Sequence, residues 1–149
     1  MKWLVKWWHL PPLERGLVIE MALTMGMIRV GLKMLSLNKL KKTLDWMARS
    51  FPGQEPVDDQ YREQVVWAAT TLGRSMLADQ PCLTQALAVQ MYYQRMNIPA
   101  ELCIGVAKEN NERLLAHAWI ESDGQVVIGG SEQVLEQYTR LPAIDWNRI

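Results

Sequence analysis

Residues 81–124 read PCLTQALAVQMYYQRMNIPAELCIGVAKENNERLLAHAWIESDG, and the spacing of apolar residues changes within this stretch. Pro81 suits the first position of a helix, and the apolar positions that follow it leave little of such a helix for solvent. Beyond Pro99 the pattern alternates, so that Leu102, Ile104 and Val106 share one face of a strand. The stretch therefore predicts a buried helix followed by a sheet.

The sheet is predicted to be an antiparallel meander of three strands. After the polar turn ENNER, the segment LLAHAWIE alternates and places His117 and Trp119 on the same face. Asp123-Gly124 is typical of the centre of a two-residue hairpin turn, and QVVI returns as the third strand. A short helix from about Glu132 to Tyr138 is expected after the sheet.

Helices precede this core. Pro12 is typical of the first residue of a helix that reaches about Leu35, and a second, basic helix is predicted from about Leu37 to Arg49. A third is expected from about residue 60 to residue 78, with Asp58 or Asp59 as its N-cap. Helices followed by an antiparallel meander indicate an α+β fold.

The charge distribution suggests how the 149 residues are organised. Residues 1–50 carry nine Lys/Arg and three Asp/Glu, whereas residues 51–149 carry seven and thirteen. The sign changes at the loop SFPGQEP, so we expect a basic, Trp-rich docking region over 1–50 and the core over 51–149. A net charge of zero gives no argument for nucleic-acid binding. Two cysteines form no disulfide framework, which favours a cytoplasmic protein.

The N-terminal segment could contact another surface. Trp3, Trp7 and Trp8 stand beside two lysines, which is compatible with an anchor on a membrane or a partner, although a cluster that covers the core is favoured. No apolar run approaches the roughly 20 residues of a membrane span. The helix over 12–35 is apolar nearly all round, a pattern typical of a helix that is buried or docks on something.

Cys82 is the first candidate for chemistry. A thiol in the first turn of a helix lies near the positive end of the helix dipole, which favours the thiolate. His117, on the neighbouring sheet, could accept the thiol proton, as in thiol hydrolases. A buried structural role for both residues is the alternative. Cys103, in mid-strand, is expected to be inert, and the chain shows neither a zinc-ligand pattern nor a phosphate-binding glycine loop.

The blocks CLTQALA, GVAK and AHAWIESDG, in this order, resemble the leader peptidases of lasso-peptide biosynthesis, which are transglutaminase-like cysteine proteases. The resemblance implies a papain-like core in which a Cys-bearing helix packs on a small antiparallel sheet. It implies Cys82 as nucleophile and His117 as general base. No metal or cofactor is expected. The basic N-terminal region is similar to the split form, which implies three partners: the precursor leader, a separate leader-recognition protein and the lasso cyclase.

The chain departs from the family pattern in one respect. The family has an acidic residue on the strand after His-Ala-Trp, which orients the imidazole. Asp123 is about 20 Å along the strand from His117, and the residue opposite His117 is Gly130 or, with a three-residue turn, Gly129. A Cys-His dyad is therefore expected, unless an acid enters from elsewhere, and Glu132 is the nearest in sequence.

Three functions follow as alternatives. The first is a cytoplasmic cysteine endopeptidase that removes the leader from a ribosomally made lasso-peptide precursor. The second is a weak or inactive transglutaminase-like module that binds a precursor peptide, and the third is acyl transfer to an amine. Trp119, on the face of His117, would shield the imidazole, line the substrate groove or belong to the core.

Overall fold

The computed structural model describes residues 12–53, 58–76, 81–109 and 113–143. The predictions for Trp3, Trp7, Trp8 and the end of the third helix at Ala78 lie outside these residues. The elements follow one another as α1 (Pro12–Met34), α2 (Leu37–Ser50), α3 (Asp59–Met76), α4 (Pro81–Arg95), β1 (Glu101–Glu109), β2 (Arg113–Ser122), β3 (Gln125–Ile128), α5 (Glu132–Leu135) and β4 (Thr139–Arg140). The α+β prediction is confirmed.

Two of the helices have a polar N-cap side chain. The Ser36 hydroxyl accepts a hydrogen bond from the Lys39 backbone N–H at the start of α2. Asp58 Oδ1 accepts one from the Tyr61 N–H at 2.8 Å, so that Asp58 rather than Asp59 caps α3. These caps supply acceptors for backbone N–H groups at the starts of α2 and α3.

The sheet has four antiparallel strands in the order β3-β2-β1-β4. The first three form the predicted meander. The fourth, β4, pairs Thr139 and Arg140 with Val106 and Gly105 of β1 and was not predicted. Two residues are too few to show an alternating pattern, so this strand has no signal in the sequence.

The core lies around α4, which is buried on nearly every side. The helices α1, α2 and α3 pack against it, and it packs against β2 of the sheet. One cluster of buried apolar residues contains members from both sides of the predicted boundary at residue 50, among them Leu17, Leu44, Val65, Leu87 and Ile120. The basic helices are therefore packed on the core rather than separated from it.

The helix α1 has two apolar faces. Its inner face contributes Leu17, Met21, Met25 and Ile28 to the core. Its outer face carries a second apolar row, named here the α1 stripe, which consists of Ile19, Leu23, Met27, Val30 and Met34, all at least 40% exposed. Among the described residues, no helix is both long enough and apolar enough to cross a membrane.

The hairpin between β2 and β3 has the predicted two-residue turn. Ser122 pairs with Gln125, and Asp123 and Gly124 have φ angles of 51° and 76°, as the type I′ turn requires. The register then shifts, because Glu121 pairs with Val126 but Ile120 pairs with Ile128. This irregularity is typical of a β-bulge.

The bulge corrects the predicted partner of His117. The ladder ends where Ile120 pairs with Ile128, so neither Gly129 nor Gly130 pairs with His117 as a strand residue. The edge of β2 around residues 117–119 is consequently not covered by β3. This short open edge is where the candidate site forms.

Asp123 should contribute to the turn and not to the chemistry. We expect Asp123→Asn to retain nearly all catalytic activity, because asparagine supports the same left-handed conformation beside Gly124 while it removes the charge. The measurement is the rate of precursor cleavage by purified variants whose circular dichroism spectra match. A loss of more than tenfold would place Asp123 in the site.

Candidate active site

Cys82 lies in the first turn of α4 and reaches the open edge of β2. Its thiol, which is partly buried, hydrogen-bonds to the imidazole of His117 and to the backbone of Ala118. The helix supplies a further hydrogen bond from the backbone of Leu83. The two residues that the sequence singled out, 35 positions apart, are thus in contact.

These contacts change the pKa values of both groups. Burial by itself raises the pKa of the Cys82 thiol, but the hydrogen bonds from His117, Ala118 and Leu83 outweigh it and hold that pKa below its usual range. The hydrogen bond to Cys82 raises the pKa of His117, against the opposing effect of burial. Both shifts favour a thiolate-imidazolium pair.

The second nitrogen of the imidazole contacts a backbone carbonyl. His117 Nε2 hydrogen-bonds to the carbonyl oxygen of Gly129, which also raises the pKa of His117. A carbonyl oxygen can only accept, so Nε2 carries a hydrogen, and in the neutral ring Nδ1 holds the free lone pair. The carbonyl of Gly129 therefore selects the tautomer that can accept the thiol proton, as a carboxylate does in a triad.

Only glycine fits at position 129. Its φ is +114°, a value that other residues rarely adopt, and an added Cβ would lie 2.4 Å from Trp119 Cβ and 2.9 Å from the Ala118 carbonyl oxygen. The Gly129 contact was missed by sequence reasoning, because a backbone carbonyl has no residue signature. The Gly129-Gly130 pair was the available signal, since it indicates an unusual backbone next to the strand.

Trp119 lies behind the imidazole. Its side chain is only 3% exposed, and its ring centroid is 6.4 Å from that of His117. The indole N–H donates to Glu121 Oε1 at 2.8 Å, and the ring contacts Cys103 and Leu135 in a small second core. The structure therefore places Trp119 on the buried side of His117 and not on its open side.

Tyr138 covers another part of the same ring, with centroids 5.2 Å apart. Glu132, by contrast, is exposed at the start of α5. Within the described part of the chain, the groups that interact with His117 are Cys82, Gly129, Trp119 and Tyr138, and no carboxylate is among them. The structure does not bring Glu132 to the imidazole.

An open pocket of about 390 Å³ exposes the Cys82-His117 pair. Residues of α3 form one wall, including Thr70 and Arg74, and the end of β3 with Gly129 and Gly130 forms the opposite wall. The pair is therefore accessible from solvent while its far side is packed, which is the setting that a nucleophile and its base require.

Cys103 differs from Cys82 in its burial and in the direction of its pKa shift. It is buried, and burial together with the nearby Glu121 raises its pKa to about 11.

The side chains around Cys103 could in principle hold a metal ion. Glu101, Cys103 and Glu121 have ligand atoms within 4.8 Å of one another, but Arg140 already pairs with both carboxylates, at 2.9 and 3.0 Å. A protonated thiol and two occupied carboxylates favour an ion-pair network over a metal site.

One of three comparisons with known proteins gave a match. Searches of curated proteins and of solved structures gave no match. A family model described as the transglutaminase-like superfamily matches residues 17–143, a range that contains α2 to α5, the whole sheet and most of α1. Because the family model covers most of the chain, including Cys82 and His117, the chain belongs to the transglutaminase-like superfamily.

Proposed function

We propose that the protein is a cysteine endopeptidase that removes the leader peptide from a lasso-peptide precursor. The observation that carries the chemistry is the hydrogen bond between Cys82 and His117 in a solvent-accessible pocket. Membership of the transglutaminase-like superfamily supports a reaction of the cysteine-protease type. The resemblance of the Cys-Leu and His-Ala-Trp blocks to the lasso leader peptidases supports the choice of substrate.

The first half of the reaction acylates the enzyme. The Cys82 thiolate attacks the carbonyl carbon of the scissile peptide bond, and the electron pair moves to the carbonyl oxygen. We assign the stabilisation of that oxyanion to the backbone N–H of Cys82, because the N–H groups of the first helical turn have no acceptor within the helix. The His117 imidazolium then gives its proton to the amine nitrogen as the C–N bond breaks, which leaves a thioester on Cys82.

The second half releases the acyl group. His117 is now neutral with its lone pair on Nδ1, because Nε2–H remains bonded to the Gly129 carbonyl. Nδ1 accepts a proton from water as the hydroxide attacks the thioester. Cleavage of the C–S bond returns the carboxylic acid and the thiol. An amine in place of water would give acyl transfer instead of hydrolysis.

We also propose that the α1 stripe docks the separate leader-recognition protein. Five apolar side chains on one exposed helix face form a row about 22 Å long, and a row of this kind is typical of an interaction surface. Positive charges lie near the α1 stripe, since three lysines of the two N-terminal helices are exposed: Lys33 on α1, and Lys39 and Lys42 on α2. The lasso cyclase and the precursor leader are the other proposed partners of this region.

The test is cleavage of a candidate lasso precursor peptide, chosen from the genes that neighbour the gene of this chain, followed by mass spectrometry. We expect slow cleavage by the protein alone and an acceleration of about tenfold or more when the recognition protein is added. Leu23→Glu combined with Val30→Glu should remove the acceleration, because two charges would be buried at the interface. Leu114→Glu is the matched control, since Leu114 is equally apolar and exposed but lies on β2.

Each alternative predicts a distinct outcome. Binding of the precursor without any cleavage would support the inactive binding module, and a product joined to an added amine would support the acyl transferase. Efficient cleavage without a partner would contradict the split-form assignment. Binding of the wild-type protein, but not of the doubly substituted one, to anionic vesicles would assign the α1 stripe to a membrane surface.

A further inference from the structure

A second pocket continues from the candidate active site along α3 and β3. This pocket, of about 430 Å³, is lined by Glu63 and Trp67 of α3 on one side and by β3 on the other. The active-site pocket is lined by Thr70 and Arg74 of the same helix and by the end of the same strand. Val127 lines both pockets, so the two pockets adjoin at this residue. The two pockets together are named here the furrow between α3 and β3.

The helix wall sets the length of the furrow. From Arg62 to Arg74, α3 rises by about 18 Å at 1.5 Å per residue. On the other wall, β3 covers about 10 Å at 3.3 Å per residue, and Gly129 and Gly130 continue that wall beside the active-site pocket. A peptide that lies in the furrow with one end at Cys82 would therefore contribute about five residues in extended conformation.

The strand wall is able to bind a peptide backbone. In the sheet order, β3 lies at one end and pairs with β2 on a single side. Its other side has no strand partner among the described residues, so its outward N–H and C=O groups are open to an added strand. Strand addition to such an edge is a common way to bind extended peptides.

The helix wall supplies the side-chain contacts. Trp67 is 41% exposed, although tryptophan usually buries most of its large apolar surface, and Val66 lies beside it. Both are midway along the furrow, whereas Arg62 and Glu63 lie at its far end. This arrangement favours an apolar or aromatic side chain about three residues from the scissile bond and polar residues farther away.

We propose that the furrow between α3 and β3 binds about five extended residues of the substrate, on one side of the scissile bond, and that the residues farther from Cys82 pair with β3 as an added strand. The proposal rests on the proposed function, because it places the reacting carbonyl at Cys82. It adds a substrate-binding site and a preference for an apolar side chain that packs on Trp67.

The experiment uses peptides that react with Cys82 and therefore needs no cleavage. One series consists of acetylated alanine peptides of one, three and five residues that end in a chloromethyl ketone, with phenylalanine third from the reactive carbon in the two longer ones. A second series of the same lengths begins with a bromoacetyl group and occupies the other side. In both, the thiolate displaces the halide and forms an S–C bond, which intact-protein mass spectrometry detects.

We expect the alkylation rate in one of the two series to rise about tenfold or more from one residue to five, relative to the iodoacetamide rate of the same protein. Trp67→Ala should remove most of this gain, whereas Trp46→Ala, which truncates an exposed tryptophan on α2, should retain it. In the five-residue peptide, N-methylation of a residue whose backbone N–H pairs with β3 should lower the alkylation rate, because the methyl group replaces the hydrogen of that bond.

The result that would overturn the furrow is a rate independent of length in both series, or a gain that survives in Trp67→Ala. Iodoacetamide labelling distinguishes a failure of the proposed function from a failure of the furrow alone. If it does not select Cys82 over Cys103, the proposed function fails. If it selects Cys82 while peptide length has no effect, the furrow alone fails.

Discussion

Cys82→Ala is expected to abolish precursor cleavage, with a loss on the order of 10⁴ or more in rate, because Cys82 is the one thiol among the described residues that line the pocket. His117→Ala should have an effect of similar size, since the thiolate then loses the hydrogen bond that stabilises it and the leaving amine loses its proton donor. The measurement is turnover of the precursor in the presence of the recognition protein.

Cys103→Ala is the matched control for this pair. Cys103 is buried in the small second core with Trp119 and Leu135, so its replacement should cost some stability but leave most of the activity. Full activity in Cys82→Ala, or equal losses in Cys82→Ala and Cys103→Ala, would contradict the assignment of the nucleophile.

The second large effect is expected at Gly129. Gly129→Ala should lower cleavage by roughly 10² or more, because the added methyl group collides with the backbone of Trp119 and Ala118 and moves the carbonyl away from His117 Nε2. The imidazole would then lose the contact that selects its tautomer. The tautomer can be followed by the ¹⁵N chemical shifts of the His117 ring, which report which nitrogen carries hydrogen.

Gly130→Ala is the control that distinguishes loss of imidazole positioning from the effect of backbone strain alone. Gly130 has φ of +124°, so an alanine there is strained to a similar degree, but its Cβ would be 3.6 Å from the nearest atom of Val134. We expect Gly130→Ala to lose stability and to keep the Nε2–H tautomer and most of the activity. Equal activity losses in the two variants, with no change of tautomer in Gly129→Ala, would show that the carbonyl does not position the imidazole.

The sequence predicted much of this fold because its patterns are strong. The change from helical to alternating spacing after Pro99 predicted the helices and the meander, and Asp123-Gly124 predicted the turn. Cys82 and His117 could be paired because a helix-start thiol and a strand histidine are distinctive residue types in distinctive places.

What the sequence did not predict depends on backbone geometry. The bulge after Val126 shifts the register of β3, and the ladder ends at Ile128. No residue pattern in the sequence predicts this bulge. The open edge of β2 and the carbonyl of Gly129 both result from that shift. Likewise, the apolar pattern of α1 predicted burial or docking, but only the packing shows that the row from Ile19 to Met34 faces outward.

The measurement that tests the central claim most directly is the pH dependence of iodoacetamide labelling at Cys82, with Cys103 as the internal reference. The His117 contact lowers the pKa of Cys82, so the thiolate should form, and the labelling rate should rise, at a pH clearly below the ordinary thiol value of about 8.5. In His117→Ala this rise should move to higher pH, and Cys103, whose pKa is raised to about 11, should label slowly throughout. A Cys82 profile with the ordinary midpoint, or one that His117→Ala leaves unchanged, would contradict an activated Cys82-His117 pair.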